Sequence, residues 1–276
     1  MFYVGVDVPM QRYPIANWAL IGVTVLATLI AWGAQSKAIQ EVELVAVDMD
    51  DAQNVSPEKK AELAAKINTA VDRILMGALK PKNFRLPQLI THAFVHGDFW
   101  HLLGNMIFLF AFGNAIDAKL GHWQFLLCYF FFAAFAGLGW LLLGNGIPMV
   151  GASGAIMGIA GVFFVLYPFN ELAVHTPYSY LWTGDAWRLP SWVFVFIYMV
   201  LDLLGMMQTG TGIAYAAHVA GEIGGVALGF ALVKSGWVTS DRGEQNLLES
   251  WGWVEEKPQP VRRRRKRKPP PPPVEI

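Results

Sequence analysis

Residues 123–143 read "WQFLLCYFFFAAFAGLGWLLL". None of them is charged, and the stretch is as long as the roughly 20 helical residues that cross the hydrocarbon core of a bilayer. Comparable apolar runs occupy residues 14–35, 99–118, 149–169, 190–207 and 213–234. Inside hydrocarbon every backbone polar group must find a partner within the protein, and a helix does this within one segment. The short alternating segments of a membrane barrel are absent. The chain therefore reads as an all-α membrane protein with six transmembrane helices. Its composition agrees, since 54% hydrophobic and 15% charged residues in 276 exclude an ordinary soluble domain.

The runs divide the chain into four parts. Residues 1–36 hold the N-terminus and the first span, 37–90 a long first loop, 91–236 the remaining spans, and 237–276 a basic, proline-rich tail. The first run is read as a retained helix, because it lacks the charged start and small-residue cleavage site of a signal peptide. In the loop, residues 56–80 predict an amphipathic helix. Ser56 caps it, Pro57 suits its first position and Glu58 its positive end. Leu63, Ile67, Val71, Ile74 and Leu75 recur on one face. Cys128 is alone, so no disulfide forms within the chain.

Net charge is zero, but "RRRRKRK" at 262–268 holds seven of the 21 basic residues. Basic residues near helix ends favour the cytoplasmic side, which puts both termini inside, together with Arg12, Lys119, Arg188 and Lys234. The short outer loops at 144–148 and 208–212 are uncharged. Lys37, Lys80, Lys82 and Arg85 fall in the outer first loop against this rule, which long loops obey weakly. Arg262, Arg263, Arg264, Arg265, Lys266, Arg267 and Lys268 suit a surface of anionic lipid. A nucleic-acid role does not fit a six-helix membrane body.

Polar residues inside spans need a partner or a task. The second span opens with "THAFVHGDFWHLLGNM", in which His101 and Asn105 lie one turn apart on one face. Both can donate hydrogen bonds to a developing oxyanion. The fourth carries "GASGAIMG", with Ser153 at the helix N-terminus, where backbone N–H groups are unsatisfied. The sixth carries "AAHVAGEIGG", where His218 can act as a general base. Gly154 and Gly158 share a small-residue spacing with Gly221 and Gly225, and Gly151 permits unusual backbone angles. Taken singly, these patches also suit plain helix packing, and His92, His96 and His101 also suit a metal. All three clusters lie at one depth of their helices, which favours a joint site.

At this point the sequence resembles the rhomboid intramembrane serine proteases. The likeness rests on "HAFVHGDFWHLLGNM", "GASGAIMG" and "AHVAGEIGG", in order across about residues 85–235. It implies a six-helix rhomboid bundle and a Ser153–His218 catalytic dyad. It also implies an oxyanion site made by His101, Asn105 and the N–H of Ser153, in a wet cavity open to the outer face. The substrates implied are membrane-spanning proteins cut near small residues. No cofactor or metal is implied. A prokaryotic inner membrane is the expected location.

Some positions depart from that family's pattern. No tryptophan precedes Arg85, and residues 38–82 form a longer insertion. Met157 stands where an aromatic residue usually stacks on the histidine, and it can pack on the imidazole edge. Glu222 stands where apolar residues are usual, one turn from His218, and is expected either to touch His218 directly or through water, or to bond another helix as a neutral acid. Asp202 has no facing that the sequence can fix. The alternatives are a catalytically silent relative that binds membrane clients, and a transporter with Glu222, Asp202 and His218 as a proton path.

Overall fold

The structure, a computed structural model, describes residues 3–8, 10–50, 56–175, 187–208, 213–241 and 244–255. The basic run Arg262–Lys268 lies outside them.

Every apolar run becomes a helix. Four described helices are long and apolar enough to cross a membrane, at Ile15–Val45, Phe99–Leu120, His122–Leu143 and Tyr215–Lys234. Two apolar helices are shorter, Ser153–Leu166 and Ser191–Gly205. The expected fourth span at 149–169 is thus trimmed at both ends, and the fifth at 190–207 slightly. Trimming at 149 has a cause in the backbone. Met149 exchanges two hydrogen bonds of 2.9 Å with Leu79 of the first loop, as an isolated bridge.

The first helix, α1 (Ile15–Asp50), overruns its apolar stretch by about four turns. Residues 36–50 contain no proline or glycine to stop it. α2 (Pro57–Ile74) packs back along that extension, with Arg73 paired to Glu41 at 2.8 Å. Ser56 caps α2 as expected, accepting from the N–H of Lys59. The expected end at residue 80 is corrected to Ile74, because Gly77 turns the chain at φ +78°. The long first loop is therefore mostly helical.

α3 (Gln88–Thr91) leads to α4 (Phe99–Phe108), which continues through a π-helical turn at Leu109–Gly113 into α5 (Asn114–Leu120). Asn17 of α1 locks that turn, its amide donating to Leu109 O at 2.9 Å and to Asn114 Oδ1 at 2.8 Å. α6 (His122–Leu143) presents Leu127 and Leu142 outward, 70% and 81% exposed. That outward apolar face suits lipid. α7 (Ser153–Leu166) is the central element, with twelve of its fourteen residues buried. α8 (Ser191–Gly205) and α9 (Tyr215–Lys234) complete the bundle, and α10 (Leu247–Ser250) folds beneath it with a capping box of Asn246 and Glu249.

Strands, which the apolar pattern does not predict, appear at the far end of α7 from Ser153. β1 (Tyr3–Val6), β2 (Glu171–His175) and β3 (Trp187–Pro190) form an antiparallel sheet in that order. Its register pairs Tyr3 with His175 and Glu171 with Pro190. The sheet ties the N-terminal segment to the link between α7 and α8.

Candidate active site

The start of α7 is shaped by one glycine. Gly151 has φ +117°, and a Cβ there would lie 2.7 Å from His101 Nε2. Only glycine fits both conditions. The next residues start the helix, with Ile156 N–H donating to Ala152 O at 3.0 Å. The first-turn N–H groups of Ser153 and Gly154 then have no acceptor within the helix.

The α7–α9 contact is made almost without side chains. A Cβ at Gly221 would lie 2.0 Å from Gly154 O, and one at Gly225 2.0 Å from Gly158 O. Gly154 and Gly158 turn their own missing side chains toward α6, where Ala136 and Phe132 lie within 2.6 Å of the positions a Cβ would take. The two glycine pairs therefore meet as glycine over carbonyl, with α6 closing the other side.

Across this seam His218 Nε2 lies 2.7 Å from Ser153 Oγ. The other ring nitrogen, Nδ1, lies 3.0 Å from Oδ1 of Asp202 on α8. Both nitrogens are thus engaged, by Asp202 and Ser153, so of the readings for Glu222 the direct hydrogen bond to His218 is not made. Glu222 is buried, 2% exposed, and its Oε2 has no hydrogen-bond partner among the described residues. Tyr215 stands edge-on to the His218 ring at 6.3 Å, while Met157 lines a recess of about 200 Å³ with Asn105, Ser153 and Tyr198.

α4 supplies the donors. Asp98 caps it by accepting the His101 N–H at 2.9 Å. One turn on, Asn105 Nδ2 is buried and donates to nothing among the described residues. It lies 3.8 Å from the position a Gly151 Cβ would take, so it faces the turn before Ser153. The arrangement leaves an amide donor free beside a hydroxyl that already touches a base. A cavity of about 550 Å³ opens over Ser153 and His218, lined by Gly97, His101, Trp140 and Met149 among others.

Two histidines that the sequence grouped with His101 brace the turn instead. His92 contacts Gly151 O through Nδ1 at 3.3 Å and Ala133 O through Nε2 at 3.2 Å. Burial pushes its pKa down, so the neutral ring donates to one carbonyl at a time. His96 Nε2 accepts the Ala152 N–H at 3.3 Å. Its proton is then on Nδ1, which donates to Thr28 Oγ at 3.1 Å, and Thr28 donates onward to Phe94 O at 3.0 Å. Burial first, and the nearby His101 second, push the His96 pKa down to about 3. His92 and His96 thus tie the loop before α4 to the backbone on either side of Gly151.

Asp202 is the site residue that sequence reasoning missed. Its signal was a lone carboxyl in the apolar helix "SWVFVFIYMVLDLLG". Only the packing of α8 on α9 shows which way that carboxyl turns.

Residues 83–235 match the Rhomboid domain family, more than half of the chain. The chain belongs to the rhomboid family, and its apolar helices make it an integral membrane protein. It is 30% identical over 154 residues to Rhomboid protein 1, mitochondrial, of Saccharomyces cerevisiae, covering 53% of this chain and 42% of that protein. It is 26% identical over 146 residues to Rhomboid-like protease 3 of Toxoplasma gondii, covering 53% and 51%. It is 27% identical over 142 residues to Rhomboid protease GlpG of Yersinia pestis, covering 51% and 46%. The chain spans about half the length of these relatives.

Proposed function

We propose that the protein is an intramembrane serine endopeptidase acting on membrane-spanning proteins. The observation that carries this reading is the 2.7 Å contact of His218 Nε2 with Ser153 Oγ beside the free amide of Asn105. Ser153 Oγ attacks the scissile carbonyl as its proton passes to His218 Nε2. The oxyanion that forms is held by His101, by Asn105 Nδ2 and by the Ser153 N–H at the start of α7. His218 then gives its proton to the leaving amine, and a seryl ester remains. Water, deprotonated in turn by His218, hydrolyses the ester and frees Ser153. Serine, histidine and amide groups supply this chemistry without a cofactor.

In the same reading all six apolar helices span the bilayer, the two short ones with their loops. The cavity opens to the outer face, both termini are cytoplasmic, and the host is a prokaryotic inner membrane. The charge distribution supports that orientation. Arg262 to Lys268 then lie where anionic lipid headgroups attract them, at about 1 kcal/mol per basic residue near the surface.

The test is labelling of the detergent-purified full chain with a fluorophosphonate probe, which reacts with activated serines. Wild type is expected to label, and Ser153→Ala and His218→Ala to lose labelling while keeping wild-type unfolding. A folded wild type that never labels would instead support a silent binder of membrane clients.

A further inference from the structure

The chemistry just proposed leaves the buried acids on α8 and α9, Asp202 and Glu222, without a task, and one of them touches the base. Asp202 is 5% exposed in an otherwise apolar helix, where an ionised carboxyl needs a compensating partner. Its Oδ1 meets His218 Nδ1 at 3.0 Å, on the opposite side of the ring from Ser153. α8 is held against α9 at this level, since a Cβ at Gly205 would lie 2.4 Å from the Tyr215 ring.

Few other ionisable groups reach the imidazole. Ser153 comes from α7 and Tyr215 from its own helix. His101 of α4 lies within electrostatic reach of His218, and Tyr198 of α8 and Glu222 of α9 within reach of Asp202. α6 contributes Phe132, Phe135 and Ala220-facing Gly139, none of them ionisable. Asp202 is therefore the sole acid hydrogen-bonded to His218 among the described residues.

We propose that Asp202 is a positioning residue for His218, so that this chain works as a serine–histidine–aspartate relay rather than a dyad. The inference rests on the protease reading above. Asp202 accepts the Nδ1 proton, which fixes the tautomer with Nε2 free to take the Ser153 proton. It also holds the ring toward α7. When the Ser153 proton moves to Nε2, the imidazolium stands beside the Asp202 carboxylate. No proton passes to Asp202, and the Nε2 proton leaves with the amine.

The test is the rate of fluorophosphonate labelling of the full chain between about pH 5 and 9. Asp202→Asn is expected to slow labelling at neutral pH by on the order of 100- to 10,000-fold, because an amide can hold the ring in the wrong tautomer. The residual rate should also keep its acid limb at lower pH, since the imidazolium loses its counter-charge. Asp202→Glu is expected to recover part of the rate. A purely structural role predicts lost folded protein with an unmoved acid limb. A wild-type rate and profile in folded Asp202→Asn would overturn the proposal. If both variants fail to fold, the wild type decides by nitrogen-15 histidine NMR. A far-downfield Nδ1 proton on His218 at low pH supports the relay, and its absence overturns it. Labelling that persists in Ser153→Ala would instead sink the protease reading.

Discussion

The two ends of α7 are held by different chemistry. At its C-terminal end, the Lys119 side chain, 6% exposed, bridges Asp241 at 2.7 Å and Glu244 at 2.9 Å, with the Tyr167 ring 5.7 Å away. Nearby, buried Asp117 accepts the Asn17 N–H at 3.0 Å and meets His122 at 2.8 Å. At the Ser153 end a hydroxyl, an amide and an imidazole meet, with the Asp202 carboxyl behind the ring and Glu222 buried nearby, and Asn105 Nδ2 has no partner among the described residues. One end has its charges matched in the resting state. The other holds a donor in reserve, which suits charge that arises only during reaction. The contrast teaches how to tell anchoring polar groups from working ones in a bundle where both are buried.

Substitutions can break that contrast. Lys119→Ala should have the largest effect on stability, because it strands Glu244, whose side chain is 3% exposed. Removing one partner of a buried pair costs about 3–5 kcal/mol. The drop should appear in the unfolding midpoint in detergent, while the folded fraction labels at the wild-type rate. Asn105→Ala should do the reverse. Its labelling should slow by about 100- to 1,000-fold through loss of an oxyanion donor. Its unfolding midpoint should stay near wild type, since Nδ2 surrenders no hydrogen bond.

His96 lies between these cases and gives the smallest effect. His96→Ala strands the Ala152 N–H, at about 1–3 kcal/mol, and loosens the turn before Ser153. Its pH signature has a definite sign. The unfolded imidazole takes up a proton near 6.5, whereas burial delays this to about 3 in the folded chain. The stability that neutral His96 contributes is complete above about pH 6.5 and is lost as pH falls toward 3. Acid unfolding of the wild type should steepen over that window, and His96→Ala should flatten it in part, since buried His92 shifts the same way.

Much of the site is written in local spacing. Ser153 follows Gly151 into a helix, and Gly221 and Gly225 sit one turn apart, so the α7–α9 seam needs no long-range information. Ser56 and Pro57 likewise announce α2. What the sequence hides is the product of distant pairing. β1 and β2 are short and meet across some 165 residues, with no alternation long enough to betray them. The extra length of α1 is set by α2 packing along it, not by apolar pattern. Asp202 was visible as an oddity, but its facing depends on how α8 rolls against α9. The bracing role of His92 and His96 was not legible, because ring nitrogens in sequence carry no hint of the distant backbone carbonyls and N–H that they meet.

The glycine-over-carbonyl seam has a mechanical consequence. Two helices that meet through side chains can absorb a small error by turning a rotamer. Gly221 and Gly225 rest on the carbonyls of Gly154 and Gly158, so nothing at this joint can be re-adjusted. The gap between Ser153 and His218 therefore inherits the tolerance of two backbones in contact. It behaves like a fit cut directly into the metal, with no shim.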